Sequence, residues 1–470
     1  MAGAAYVLAA CASMAPLYET PALPVAASYA ESGLQEPSQT AAIGWRDYFT
    51  DPDLQALIAT ALDHNRDLRI AVLRVEAARA TYGIQRAEQF PTINAQADMD
   101  RSRTPADLSI TGQPQLASQY QVALGLASWE LDFWGRIRSL KDAALENYLA
   151  SDEARRAVSI ALIAQVANGY LGVRELDERI ALASLSTASR EESLRIFTRR
   201  VAVGSSSQLE LTQVQTLLTQ AQGLRAQLQL ARATQLNALT LLVGTAIDMP
   251  AVRDQPDAAP FLLELNPGLP SQLLINRPDI VAAEHQLKAS HANIGAARAA
   301  FFPRIALTGA LGTASAELNG LFDSGSLAWR FSPSLSLPLF DGGRNRNNLD
   351  LAETRRDLAV AHYQQTVQGA FRDVADALAA RYWLSEQVVI AQAALAAQTE
   401  RARLSQLRYD HGATTFLEVL DAQRELLVAE QQLVQIRRTL RSSRVSLYAA
   451  LGGGLIASSA LPPAPGQSTP

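Results

Sequence analysis

The chain has 470 residues and a net charge of −5, with 46 acidic against 41 basic residues and no concentrated basic stripe, which gives no support to nucleic-acid binding. No run of 18 uninterrupted apolar residues is present, so no transmembrane helix is expected, although a hydrophobic content of 48% permits a large core. A single cysteine, Cys11, excludes an intrachain disulfide.

In chain order, the first signal is Leu8-Ala9-Ala10-Cys11, a lipobox pattern. Small residues before the cysteine suit a peptidase pocket, and the thiol takes a diacylglyceryl group; the plain alternative is a chance cysteine in an Ala-rich leader. Residues 1–10 are short for a bacterial export signal and lack its basic start, the first basic residue being Arg46, so this start is expected to be truncated or wrongly assigned. Residues 12 to about 42 are rich in Pro, Ala, Ser and Thr and are expected to form an extended tether.

From there the chain nearly repeats itself. Gly83 to Pro91 is answered by Gly295 to Pro303 at an offset of 212, and Gly204 with Leu209-Glu210 by Gly412 with Leu417-Glu418 at an offset of 208. A period of this length marks a duplicated substructure rather than a solenoid. No proline occurs between Pro114 and Pro250 or between Pro338 and Pro462, and both stretches are rich in helix formers. Each is expected to form a helical hairpin with its tip at Gly204 or Gly412. The descending helix of the first runs from about Arg136 to Val203, a span on the order of 100 Å, and the return from about Ser207 to Val243. Along the return, Val214, Leu218, Ala221, Leu224, Leu228, Ala231, Ala238 and Leu242 follow a coiled-coil spacing, with polar Gln235 in the series.

Between the helical blocks the period changes to two. Ile93, Ala95, Ala97 and Met99 alternate with polar residues, and Tyr120 to Leu126, Ile305 to Leu311 and Trp329 to Leu339 alternate between mostly larger apolar residues and small or polar ones. An ordinary half-buried strand has this pattern, and so does a membrane β-barrel strand. Small, mostly uncharged polar partners and aromatic residues near the strand ends favour the barrel. Four strands cannot close one, so the barrel must be shared between chains; two copies give eight strands and three give twelve.

With these residues in view, the chain resembles the outer membrane factors, the TolC/OprM family of trimeric exit ducts, and most closely the OprM-type lipoproteins. The resemblance rests on the lipobox, on Gly44-Trp45-Arg46 with Asp51-Pro52-Asp53-Leu54-Gln55, on Asn65-Arg66-Asp67-Leu68 and on Trp129-Glu130-Leu131-Asp132 with Gly135-Arg136. Gly268-Leu269-Pro270-Ser271, Arg277-Pro278-Asp279-Ile280, Ile294 to Pro303 and Val419-Leu420-Asp421-Ala422-Gln423 carry it further. It implies a mainly α fold with a small β part: three chains forming a twelve-stranded outer-membrane barrel on a twelve-helix periplasmic tunnel. The implied divisions are a signal-like segment 1–10, a tether and equatorial part 11–63, and a first repeat 64–244 with strands near 92–104 and 118–131. An equatorial connection 245–277, a second repeat 278–452 with strands near 304–315 and 327–340, and a flexible tail 453–470 follow.

The resemblance also assigns roles. The tips, including Arg200, Val203, Gly204, Arg408 and Gly412, would dock a periplasmic membrane-fusion adaptor; a plain hairpin turn is the alternative. Glu418 and Asp421 fall where relatives carry acidic gate residues, and being three apart they share a helix face. In a trimer each would form a ring of three carboxylates able to select cations; a solvated helix face is the alternative. Glu210 matches Glu418, but Gln213 answers Asp421. Thr414 stands where some relatives place an arginine, so a latch through that arginine is not carried over. Tyr409 matches a tip tyrosine that can hydrogen-bond across helices or simply pack. No P-loop, Gly-x-Ser-x-Gly, His-Glu-x-x-His or cysteine pair is present, and the five histidines are scattered, so no enzyme, metal or cofactor is expected beyond the lipid on Cys11. The expected function is the exit duct of a tripartite multidrug efflux pump driven by an inner-membrane transporter of the resistance-nodulation-division type. Alternatives are an exit for secreted polypeptides or metal, and a coiled-coil scaffold without a pore.

Overall fold

The duplication is visible element by element in a computed structural model, which describes residues 14–23, 25, 43–249, 262 and 276–453. Cys11, the Gly268–Ser271 motif, most of the 245–277 connection and the tail beyond Gly453 lie outside the described residues. After the short α1 (Trp45–Tyr48) and α2 (Pro52–His64), the first repeat runs α3 (Arg66–Ala87), β1 (Ile93–Thr104), β2 (Gln115–Glu130), α4 (Arg136–Ala202) and α5 (Gln208–Val243). The second runs α6 (Pro278–Ala299), β3 (Arg304–Ser315), β4 (Leu327–Ser336), α7 (Arg344–Asp410) and α8 (Phe416–Ala450). The matching is close: α3 and α6 have 22 residues each, and α4 and α7 have 67 each.

Two compact units divide these elements. One holds the sheet with residues 14–22, Leu73–Asp152 and Ala282–Gln365; the other holds the described parts of Leu23–Val72, Glu153–Val281 and Thr366–Pro470. In the first unit the long helices start on aspartate caps. Asp132 accepts from the backbone N–H of Ile137 (3.1 Å) and Arg138 (2.8 Å), and Asp341 from that of Asn345 (2.9 Å).

The second unit contains the main core. Tyr48, Phe49, Leu54 and Ile58 pack against Val166, Tyr170 and Val173 of α4, Leu239 and Val243 of α5, and Tyr448 of α8. Tyr48 stacks on Tyr448 with ring centres 4.4 Å apart, and Tyr170 donates to Asp51, the cap of α2 (2.8 Å). By hydropathy and length part of α4 could cross a membrane, contrary to the sequence expectation, but more than half of that stretch is buried. Its apolar residues, Leu162 to Val173 among them, supply this core. Each repeat closes on itself in a matching way. A Cβ on Gly244 (φ +81°) would stand 2.5 Å from His64 O, and one on Gly452 (φ +93°) 2.7 Å from Asn276 O, so both return helices end where only glycine fits. Asn65 donates to Leu242 O (2.8 Å) and Arg277 to Ala450 O (3.2 Å), each satisfying a carbonyl at a helix end.

The structure corrects several boundaries. The coiled-coil seam of α5 holds through Val214, Leu218, Ala221 and Leu228, then shifts to Leu239 and Val243, leaving Ala231 and Ala238 exposed. The step from Leu228 to Leu239 is 11 residues, three turns of helix, which breaks the heptad spacing. Gln235 lies in this stretch and donates to Gly169 O of α4 (3.3 Å). Strand β4 ends at Ser336 rather than 340, because Ser336 pairs with Arg304, the first residue of β3, which follows Pro303. Strand β2 starts at Gln115 rather than 118, because pairing with β1 continues to Thr104. Residues 14–22, expected as a free tether, instead contact α6 and α7.

Candidate functional site: an open-edged sheet and two joined tips

The sheet has the order β1-β2-β3-β4, all antiparallel. Paired residues point to the same face, so the register sorts the side chains. One face carries the rows Ile93/Leu126/Gly309/Phe331, Ala95/Leu124/Leu311/Trp329 and Ala97/Val122/Thr313/Leu327. The other carries Asn94/Gly125/Ala310/Arg330, Gln96/Ala123/Gly312/Ala328 and Asp98/Gln121/Ala314. The first face is apolar yet uncovered within the chain: Trp329 is 74% exposed and Leu124 59%. On the second, a Cβ on Gly312 would fall 2.1 Å from Val122 O, so the close approach of β2 and β3 there requires glycine. Among the described residues neither β1 nor β4 has a second partner, so both sheet edges stay open. Below the sheet, Glu130 joins strand to helix. It accepts from Arg136 of α4 (2.9 and 2.8 Å) and pairs with Arg304 of β3 (2.7 Å).

The tips lie in the other unit. Gly204 (φ +74°) and Gly412 (φ +72°) both adopt the left-handed conformation that closes a helix. The bonds repeat: Ser205 N–H donates to Arg200 O and Ala413 N–H to Arg408 O, both at 2.8 Å. The starts of the return helices differ. Ser207 and Glu210 form a reciprocal capping box, and bonds from Ser206 and Ser207 hold the Glu210 carboxyl below the usual carboxylate range. At the second tip Thr415 makes no side-chain cap; Glu418 accepts from Arg408 (2.9 Å) and from the Thr414 hydroxyl instead.

An aromatic cluster joins the two tips. Phe197 meets Phe416 at 4.5 Å between ring centres, and Phe416 meets Tyr409 at 5.0 Å. Arg200 donates to the Tyr409 hydroxyl, and its guanidinium lies 5.8 Å from the Tyr409 ring centre. Leu211, Val214 and Leu420 complete the cluster. A cleft of about 160 Å³ opens beside it between Glu210, Gln213, Phe416 and Leu420. Val203, Leu209 and Leu417 stand exposed.

Asp421 is not a bare carboxylate. It is shared by Arg401 of α7 (2.6 Å) and Arg424 of its own helix (2.7 Å). Nearby, buried Arg190 of α4 donates to Leu217 O (2.7 Å); burial, then the Arg424 charge, lowers its pKa. Within one chain, the sequence-assigned residues form two sets: Arg200 with Tyr409, and Arg408 with Glu418. Asp421 sits apart from both with its two arginines. Among the described residues no cluster of three or more His, Cys, Asp or Glu is suited to a metal ion.

The profile of the outer membrane efflux protein family matches residues 57–245 and 269–453. The chain belongs to the outer membrane efflux protein family. It is 47% identical to outer membrane protein OprJ of Pseudomonas aeruginosa over 454 residues, covering 96% of this chain and 94% of OprJ. It is 46% identical to the solvent efflux pump outer membrane protein SrpC of Pseudomonas putida, covering 94% and 95% of the two chains. Among solved structures, the open state of the Neisseria gonorrhoeae MtrE outer membrane channel superposes with a TM-score of 0.83 at 40% identity, covering 94% of this chain and 99% of MtrE. The protein is therefore an outer-membrane efflux duct, and a pore-free scaffold leaves its four strands unexplained.

Sequence reasoning missed several residues of this efflux protein's tips. Phe197 and Phe416 had a usable signal, since aromatics are only 6% of the chain and three lie close to the tip glycines. Arg424 is detectable as the i,i+3 partner of Asp421. Arg401 lies 20 residues from Asp421 on another helix, and no local spacing reveals it.

Proposed function

We propose that the protein is one of three subunits of the exit duct of a tripartite pump whose inner-membrane transporter is of the resistance-nodulation-division type. The observation that carries this reading is the open-edged sheet with one apolar face. In hydrocarbon each free edge would leave about ten backbone groups unpaired, at roughly 2–7 kcal/mol each. That penalty exceeds the whole stability of a typical domain, about 5–15 kcal/mol. Pairing β1 of one copy with β4 of the next removes it, and three copies close twelve strands.

The exposed apolar residues Val203, Leu209 and Leu417 support the tips as the docking surface for a periplasmic adaptor. Tyr409, Glu418 and Asp421 form the gate, held shut by the pairs described above. Cys11 carries a lipid, and no other cofactor takes part. Relatives are named for efflux of solvent, toluene and antibiotics, which supports small apolar molecules as cargo. The test is the mass of the detergent-solubilised protein with conductance in planar bilayers. A trimer that conducts is expected; a monodisperse monomer that adds no conductance overturns the reading.

A further inference from the structure

The charged residues of the sheet are sorted by face. On the apolar face, the rows beyond Ala97/Val122/Thr313/Leu327 are Met99/Tyr120/Ser315, Arg101/Ser118 and Arg103/Leu116. Towards the helices, the rows Trp129/Leu307/Pro333 and Ile305/Leu335 carry no charge. Among the residues paired in the sheet, Arg101 and Arg103 are therefore the only charged ones on this face. Asp98, Asp100, Glu130, Arg304 and Arg330 all fall on the other. Both arginines are exposed, and neither has a hydrogen bond or ion pair among the described residues. They stand on the part of the β1–β2 hairpin that runs past the last pairing of β3, Ser315 with Tyr120.

Their place along the strands matches the depth of a headgroup layer. From the Trp129/Leu307 row to the Tyr120/Ser315 row is eight residues of β3, and Arg101 lies two further on. Ten residues rise about 34 Å along a strand, which is about 24–28 Å of height at a barrel tilt of about 35–45°. The lipid-facing apolar band of a membrane barrel is about 25 Å tall and is bounded by aromatic residues, here Trp129 and Tyr120. A lipid-facing arginine is costly at mid-depth and nearly free at the interface. The four helices leave the sheet at its other end, so with those helices in the periplasm the two arginines stand at the outer leaflet.

We propose that Arg101 and Arg103 form a binding site for the phosphate groups of outer-leaflet lipid, the phosphorylated glycolipid of the outer membrane. The inference rests on the shared-barrel reading above, which puts this face in lipid. Charge complementarity selects the occupant. A guanidinium grips a phosphate through two parallel N–H bonds, and these two have no carboxylate of their own to compete. Two residues apart on one strand, they share a face about 7 Å apart, close enough to converge on one headgroup. Each basic residue at an anionic membrane surface strengthens attachment about fivefold, and the pair about thirtyfold.

Native mass spectrometry of the full-length protein in a non-ionic detergent tests this, because one spectrum gives both the oligomer and the lipid it retains. The probes are lipid A with both phosphates, lipid A stripped of both, and inorganic phosphate. The wild type is expected to retain the phosphorylated lipid well above the stripped one. Arg101→Gln and Arg103→Gln are each expected to weaken that retention about fivefold, and the double variant about thirtyfold. Arg101→Lys keeps the charge but not the fork and is expected to lose less. Arg330→Gln removes a positive charge from the opposite face and is expected to leave retention unchanged. Equal retention of the two lipids by the wild type overturns the site, as does unchanged retention by the double variant. Inorganic phosphate held in place of the lipid overturns the lipid as the source. The wild-type comparison decides the question even where the double variant does not assemble. A wild-type monomer in the same spectra overturns the duct reading, whereas a trimer that ignores the phosphates overturns only the arginine site.

Discussion

Replacing Asp421 with alanine separates two accounts of the gate by sign. Asp421 bridges Arg401 and Arg424 at 2.6 and 2.7 Å, with side chains between 37% and 52% exposed. Exposed pairs of this kind are screened and contribute roughly 0.2–1 kcal/mol each, so the bridge holds about 1 kcal/mol per chain. If three chains open together, about 1.5–3 kcal/mol is lost, a ten- to hundredfold rise in the open-to-closed ratio. The two freed arginines, with buried Arg190 close to Arg424, repel and push the same way. Single-channel recording in planar bilayers is the assay, with Arg401→Ala expected to give a smaller rise. A ring of three bare carboxylates predicts the reverse, since removing like charges would favour closure. Lower or unchanged resting conductance in Asp421→Ala refutes the bridge.

Other outcomes follow from the same contacts. Tyr409→Phe removes the acceptor for Arg200 but keeps the ring against Phe416, so it is expected to raise resting conductance less than Phe416→Ala, which opens the cluster joining the tips. Gly412→Ala forces a left-handed conformation on a residue with a Cβ, costing about 1–2 kcal/mol; faster amide exchange confined to the second tip is the expected readout. Gly312→Val is expected to prevent sheet formation and leave protein extractable by urea, since no space exists beside Val122 O. The Glu210 carboxyl has a lowered pKa in the folded chain, so its contribution is present above the ordinary value of 4.5 and is lost as pH falls below it. Amide protection at residues 208–211 should therefore fall in acid, and Glu210→Gln should flatten that dependence.

The periods carried the architecture because they follow from chain geometry. Alternation placed all four strands, and the sheet register bore out the apolar set Ile93, Leu124, Leu311 and Trp329 as one face. The offset of 208 anticipated matching hairpins in the two halves, with 67 residues before each tip and 36 or 35 after it. What stayed hidden depends on contacts distant in sequence. Arg401 with Asp421, Arg200 with Tyr409 and Tyr18 with Glu284 each join separate elements, and no local spacing encodes such a pair. The seam of α5 failed for a different reason. A heptad count assumes continuous supercoiling, whereas Gly169 and Gly172 let α4 approach Leu239 and Gln235 closely and reset the phase.

Duplication fixes the shape of the two tips and leaves their energetics free to diverge. Both turns close on a left-handed glycine with the same bonds, so the backbones are interchangeable. At the first, Glu210 is satisfied by its own helix start, through Ser206 and the Ser207 cap. At the second, Thr415 contributes no cap, and the equivalent Glu418 is shared between the Thr414 hydroxyl and Arg408, ten residues back across the turn. Opening that turn breaks the Arg408–Glu418 pair, whereas the first turn can open with its capping box intact. The second hairpin therefore has the larger local coupling between tip geometry and charge, and Asp421 one turn further on extends it. Moving the local solution across tests this argument: Thr415→Ser with Thr414→Ser rebuilds the serine pair at the second tip. That variant is expected to lower resting conductance and slow exchange at residues 416–419, and an unchanged channel would mean that the tips are energetically equivalent.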